Sequence, residues 1–224
     1  MRAAARPKPA PAGALRAAPS GPRSTARDDL LSAASTLMCK TDTLEISFSE
    51  IAKIAGVNSA LIKYYFGNKE GMMLALLERD VSKGMSQLSS LMTDTMPPAD
   101  KMRWHIAGMI RMYFRYPYLN RLILALIRDG EPSRAKQIAD ALMKPISDAH
   151  KTFIHEGVKL GHFRDVDPEM FYFTLIGACE QLFSARFALN YVFGFQTIDK
   201  AVRDRYVEHT TNMLMAGLLI PERT

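Results

Sequence analysis

From residue 24 to the C-terminus, apolar residues recur at steps of three and four, and no convincing run alternates strictly between apolar and polar. That spacing lines one face of an α-helix and lacks the two-residue period of a half-buried strand. The chain therefore reads as all-α. Caps and breakers divide it. A first helix over 25–40 turns Leu30, Leu31, Ala34, Leu37 and Met38 inward, with Asp28 placed as a capping-box carboxylate for Thr25. Ser47-Phe48-Ser49-Glu50 repeats that spacing and opens a second helix, which Gly56 ends. A short third helix, capped by Asn58, reaches Phe66, and Asn68 caps a long fourth that stops before Pro97-Pro98. Further helices are predicted over 99–115 and 119–128, and over 133–160 with a break or kink at Pro145. The last two start at Asp167-Pro168 and Asp199, and end near 192 and 219.

Hydrophobic residues make up 48% of the 224, enough to bury a substantial core. Two cysteines, Cys39 and Cys179, make neither a disulfide framework nor a four-ligand zinc site. The best uncharged apolar run spans only 170–179, against the roughly 18 residues a membrane span needs. A cytoplasmic, bacterial protein with no membrane partner is the expectation. The net charge of +6 is concentrated at one end: Arg2, Arg6, Lys8, Arg16 and Arg23 stand in a segment without acids that also holds five prolines. Residues 1–23 therefore read as a disordered basic arm. They lack the apolar core of a signal peptide. Two roles remain open for the arm, a solvated extension and a holder of phosphates.

The segment 47–69 carries the function. Ile51, Ala52, Gly56, Val57, Ile62 and Tyr65 stand at helix-turn-helix spacing. Ala52 is small where the next helix crosses, Gly56 allows the positive φ of a tight turn, and Val57 and Ile62 wedge the two helices apart. The product is a short helix that fits a major groove. Residues 51–58 (IAKIAGVN) and 64–70 (YYFGNKE) closely resemble the DNA-binding domain of tetracycline-repressor-like (TetR/AcrR) regulators. A weaker echo, Gly157, Gly161, Phe163, Arg164, Asp167 and Pro168, resembles that family's connector into its dimerisation helices.

The resemblance implies a three-helix DNA-binding domain over 24–70, then a larger helical effector-binding and dimerisation domain over 71–224. It further implies a homodimer on double-stranded operator DNA, with half-sites about 34 Å apart. By the same resemblance, Asn58, Ser59, Ala60, Lys63 and Tyr64 face outward on the reading helix. Ser47, Phe48 and Lys69 lie at neighbouring helix starts. Lys63 suits guanine or phosphate, whereas Tyr64, Ser47 and Lys69 suit phosphate. Leu61 and Lys63 depart from the threonine and aromatic common in the family, so no operator sequence follows. Segment 24–70 carries five basic and six acidic side chains, which leaves a scaffold-only helix-turn-helix as the competing reading.

In the larger domain, Met102, Ile106, Met109, Ile110 and Tyr113 share one helix face, and Phe173, Ile176, Glu180 and Phe183 share another. Both faces serve as core or as an effector pocket for a small, largely apolar molecule. Glu180 in an apolar stripe needs a partner, either a ligand donor or a structural cation such as Arg186. The opposite side of that helix, Leu175, Ala178, Leu182, Ala185 and Leu189, suits a subunit interface, joined by Tyr206, Met213 and Gly217 of the last helix. No GxSxG, P-loop or GxGxxG occurs, and no histidines stand at metal-ligand spacing, so no enzyme, metal or cofactor is expected. The expectation is a ligand-responsive DNA-binding regulator, of repressor type. Its competitors are an activator of the same kind and a helical dimeric ligand-binding or adaptor protein that does not use DNA.

Overall fold

The computed structural model describes residues 25–221. The arm over 1–23 and its role lie outside them. Among the described residues the fold is helical throughout, with a single isolated bridge between Phe163 and Leu219. Three short helices come first: α1 (Ala26–Thr41), α2 (Phe48–Ala55) and α3 (Ala60–Phe66). Their termini follow the caps in the sequence. Thr25 accepts the Asp28 N–H, and Ser47 and Glu50 complete a capping box on α2. The third cap sits one residue later than expected: Ser59 holds the N-cap position without a side-chain bond, and Asn58 Oδ1 accepts the Ala60 N–H at 2.8 Å.

The long α4 (Lys69–Thr93), capped by Asn68, packs on α1, α3, α5 (Pro98–Arg115) and α6 (Leu119–Asp129). Helix α5 is the pillar of the larger part. Helices α4, α8 (Lys144–Lys159), α9 (Pro168–Ser184) and α11 (Lys200–Leu218) pack around it. Met102, Ile106, Ile110 and Tyr113 are consequently buried. The kink expected at Pro145 takes the form of a π-helical turn, Ala139–Met143, joining α7 (Pro132–Ile138) to α8. Pro145 has no N–H and crowds the carbonyl four residues back, and the wider turn relieves that clash.

The helix starting at Asp167 ends earlier than its pattern predicts. It stops at Ser184, and a separate α10 (Arg186–Phe193) follows. No glycine or proline marks this junction. Arg186 instead reaches back to α1, bonding the Cys39 carbonyl at 2.7 Å and the Asp42 carboxylate at 3.1 Å. That long-range anchor stands where the helix turns. Gly157 is required on α8, because a Cβ there would lie 2.1 Å from the Phe163 ring. The packed ring holds the connector beside the C-terminus, where Arg164 N–H donates to the Leu218 carbonyl.

Candidate functional site

Ile51, Ala52 and Ile62 are buried beneath the crossing of α2 and α3, both of which pack on α1. The turn between these helices depends on Gly56, whose φ of 68° would cost another residue about 1–2 kcal/mol. Outward from that crossing, Ser59, Ala60 and Lys63 are exposed and Tyr64 is 79% exposed. Asn58 is exposed too, although its side chain serves the Ala60 N–H. Tyr65 adds a second ring, edge-on to Tyr64 at 5.1 Å between centroids. The neighbouring helix starts are more occupied. Ser47 is exposed, but its hydroxyl donates to Glu50 at 2.6 Å and so holds that carboxyl below the usual range. Lys69 is half-buried and pairs with Glu45 at 3.2 Å, and Phe48 is half-buried against the core. Phe48 therefore serves packing at least as much as contact.

Helix α3 itself carries none of this segment's acids, although Glu50 and Glu45 stand beside it on Ser47 and Lys69. Asp42 pairs with Arg121 and Arg186, Glu70 with Arg134, and Glu45 with Lys69, while Glu50 closes the capping box. Residues 57–69 contain no carboxylate. A phosphate approaching α3 therefore meets Lys63 without opposing charge on that helix.

Two buried polar clusters tie α1 to the larger part. At its C-terminus, Asp42 takes φ 56°; Arg121 donates to both its carbonyl and its carboxylate, and Arg186 adds a second cation. Midway along, Tyr118 is fully buried; its hydroxyl donates to Asp80 Oδ2 at 2.5 Å and lies 2.7 Å from Ser35 Oγ. Arg79 holds the other Asp80 oxygen at 2.7 Å and reaches Ser32 on α1. Burial raises the Asp80 carboxyl above its ordinary value, while the Tyr118 and Arg79 bonds pull the other way.

Asp80 also borders a cleft of about 590 Å³ between α4, α5, the π turn and the start of α8. Leu88, Met109, Leu142 and Ile146 form apolar walls, and Trp104 stands at the cleft 62% exposed. Among the expected pocket residues, only Met109 lines this cleft. Phe183 lines a smaller cavity of about 310 Å³, beside Cys39 and Phe187. Met102, Ile106, Ile110 and Tyr113 instead serve the core around α5, and Ile176 is half-buried. Phe173 points outward, 66% exposed. Glu180 is half-buried and takes a bond from Ser184, not from Arg186, which is engaged by Asp42.

The surface expected for a second subunit is only partly exposed. Leu175 and Leu189 are buried within the chain. Ala178, Leu182, Ala185 and Tyr206 are half-buried, while Met213 and Gly217 are exposed on α11. Phe173 and Gly177 join those two on the open side.

Sequence reading missed one pairing altogether. His105 and His150, 45 positions apart, meet with Nε2 atoms 2.9 Å apart. Neutral rings permit that contact, one nitrogen donating and the other accepting. Burial lowers His105 to about 4, and burial with His105 beside it lowers His150 to about 3. Among the described residues no three His, Cys, Asp or Glu side chains gather at metal-binding distance. Neither this pair nor the Asp80 and Asp42 clusters carried a local signal, because each joins residues far apart in the chain.

A glycine-hinged helix pair whose second helix is exposed, carried on a larger helical body with a cleft, is the architecture of a helix-turn-helix regulator. The comparisons agree. A family model described as "Bacterial regulatory proteins, tetR family" matches residues 30–76, and "Tetracyclin repressor-like, C-terminal domain" matches 95–224. The chain belongs to the TetR family of transcriptional regulators. Its relatives include the transcriptional repressor NicS of Pseudomonas putida, 24% identical over 194 residues, or 86% of this chain and 92% of NicS. The solved structure of the ketosteroid regulator KstR2 of Mycobacterium tuberculosis superimposes with a TM-score of 0.71 at 16% identity, covering 90% of this chain and 99% of that one. The structure of AibR with isovaleryl coenzyme A and operator DNA gives 0.65 at 19% identity, covering 85% and 98%.

Proposed function

We propose that this chain acts as a homodimer that occupies an operator and leaves it when a small, largely apolar effector enters the cleft beside α4. The observation that carries the reading is the outward set Ser59, Lys63 and Tyr64 on a helix without carboxylates. Asn58 and Ala60 extend that face, and Ser47, Phe48 and Lys69 flank it. Lys63 reads a base or a phosphate, while Tyr64 and the helix starts fix the register on the backbone. Two copies place two such helices in successive major grooves, about 34 Å apart. Exposed residues of α9 and α11, Phe173, Gly177, Met213 and Gly217, supply the apolar surface for pairing. The NicS relative is a repressor, which favours release over recruitment.

The cleft is lined by α4 from Arg79 onward, and α4 also packs on α1 and α3, touching α1 through Arg79 itself. A ligand wedged between α4 and α5 therefore acts on the helix that carries the reading unit. Ligand and operator then weaken each other by one common factor, on the order of 5–150-fold. The test is a gel-shift titration of the full chain against its own upstream DNA. Saturable, salt-sensitive binding that exceeds binding to scrambled DNA supports the reading. Equal affinity for both sequences sinks it and returns the helix-turn-helix to a scaffold.

A further inference from the structure

The walls of the cleft are apolar, but one stretch of it is cationic. Arg79 and Lys83 stand one turn apart on α4, and Arg111 and Arg115 stand one turn apart on α5; all four line the same cleft. Like charges at this spacing repel on a helix, so each pair costs stability unless something opposite is near. Two carboxylates also border the cleft, Asp80 and Asp94. Asp80 is taken by Arg79 and Tyr118, and Asp94 accepts the Met96 N–H at the end of α4. Among the described residues, no carboxylate forms an ion pair with Lys83, Arg111 or Arg115; Arg115 lies over the Tyr116 ring at 5.4 Å and feels Asp80 only at longer range.

We infer that this cleft takes an amphiphile, with an anionic head group, a carboxylate or phosphate, held by Lys83, Arg111 and Arg115 and an apolar tail against Leu88, Leu142 and Ile146. The inference rests on the effector reading above and specifies its ligand. Arginine forks match oxyanions with two parallel bonds, and a cleft of this volume suits a small ligand. Such a head group also sits beside Arg79, which the oxyanion draws away from Asp80 and from Ser32 on α1. A neutral ligand has no such leverage.

Trp104 is the only tryptophan and borders the cleft, so its emission reports occupancy. The full chain is titrated with dodecanoate, dodecan-1-ol and dodecanoyl coenzyme A, each below its micelle concentration. Operator affinity is measured separately without ligand. Dodecanoate or the thioester is expected to bind at least about tenfold tighter than the alcohol. Arg111→Gln and Lys83→Gln should each weaken the anion by about that factor and leave the alcohol unchanged. Preference for the free acid assigns a carboxylate head, and preference for the thioester assigns a phosphate-bearing one. Equal binding of alcohol and acid, binding of none of the three, or an anion indifferent to Arg111→Gln overturns the inference. If the alcohol alone binds and releases DNA, the head-group assignment falls while the effector reading stands. Loss of operator binding without ligand would instead strike the regulator reading.

Discussion

Replacing Tyr118 with phenylalanine removes one oxygen and leaves a fully buried ring in place. That oxygen makes the 2.5 Å bond to Asp80 and the 2.7 Å contact with Ser35, joining α4 and the start of α6 to α1. A bond to a buried carboxylate is worth about 1.5–3 kcal/mol and a neutral one about 1 kcal/mol, so the variant should lose roughly 2.5–4 kcal/mol. For a chain of this size the melting temperature should fall by roughly 5–15 °C. Urea unfolding should show a lower midpoint with an unchanged m-value. The loss should also depend on pH. Burial raises the Asp80 carboxyl above its ordinary 3.8 and the Tyr118 bond opposes that rise. Because the folded state then holds the proton more firmly than the unfolded chain, this group's contribution declines as pH climbs above 3.8. Removing the opposing bond steepens the decline, so the deficit at pH 7 should exceed that at pH 4. A change below about 0.5 kcal/mol, equal at both pH values, would refute the claim that this cluster fastens α1 to α4.

Other substitutions probe other parts. Lys63→Ala should weaken operator binding by about 1–3 kcal/mol if Lys63 reads a base; an equal loss on scrambled DNA assigns it to phosphate. The buried histidine pair should destabilise the fold in acid. Both groups are lowered from 6.5, so stability is complete above that pH and falls by about 1.4 kcal/mol per unit for each histidine as pH drops toward about 4 and 3. His105→Gln should remove one histidine's share of that slope in denaturation series between pH 7 and 5. Gly157→Ala drives a methyl into the Phe163 ring and should cost about 1–3 kcal/mol by thermal melting.

The helices were legible because their signals are local. Thr25, Ser47, Asn68, Asp167 and Asp199 each bond a backbone N–H within three residues, and Gly56 closes α2 at positive φ. Which side chains of α3 point outward was legible for the same reason, since a seven-residue helix settles that locally. Tertiary partners were not. Nothing near Ala185 announces the end of α9, because the residue that anchors the chain there, Arg186, is held by Asp42 just past the end of α1. The apolar stripe of α5 named a face, and α8, α9 and α11 decided that it was core rather than cleft. Leu175 misled for a related reason: α9 is apolar around much of its circumference, and periodicity alone cannot say which side meets its own chain. The cationic pairs at Arg79/Lys83 and Arg111/Arg115 went unread in the sequence, because only packing sets them on one cleft.

The regulator account stands most directly on a footprint of the full chain on its own upstream DNA at near-physiological salt. It predicts two protected patches on one helical side, separated by about 34 Å, that vanish together in the Lys63→Ala, Tyr64→Ala double variant. Uniform protection along the fragment, or a pattern untouched by that double change, would contradict it.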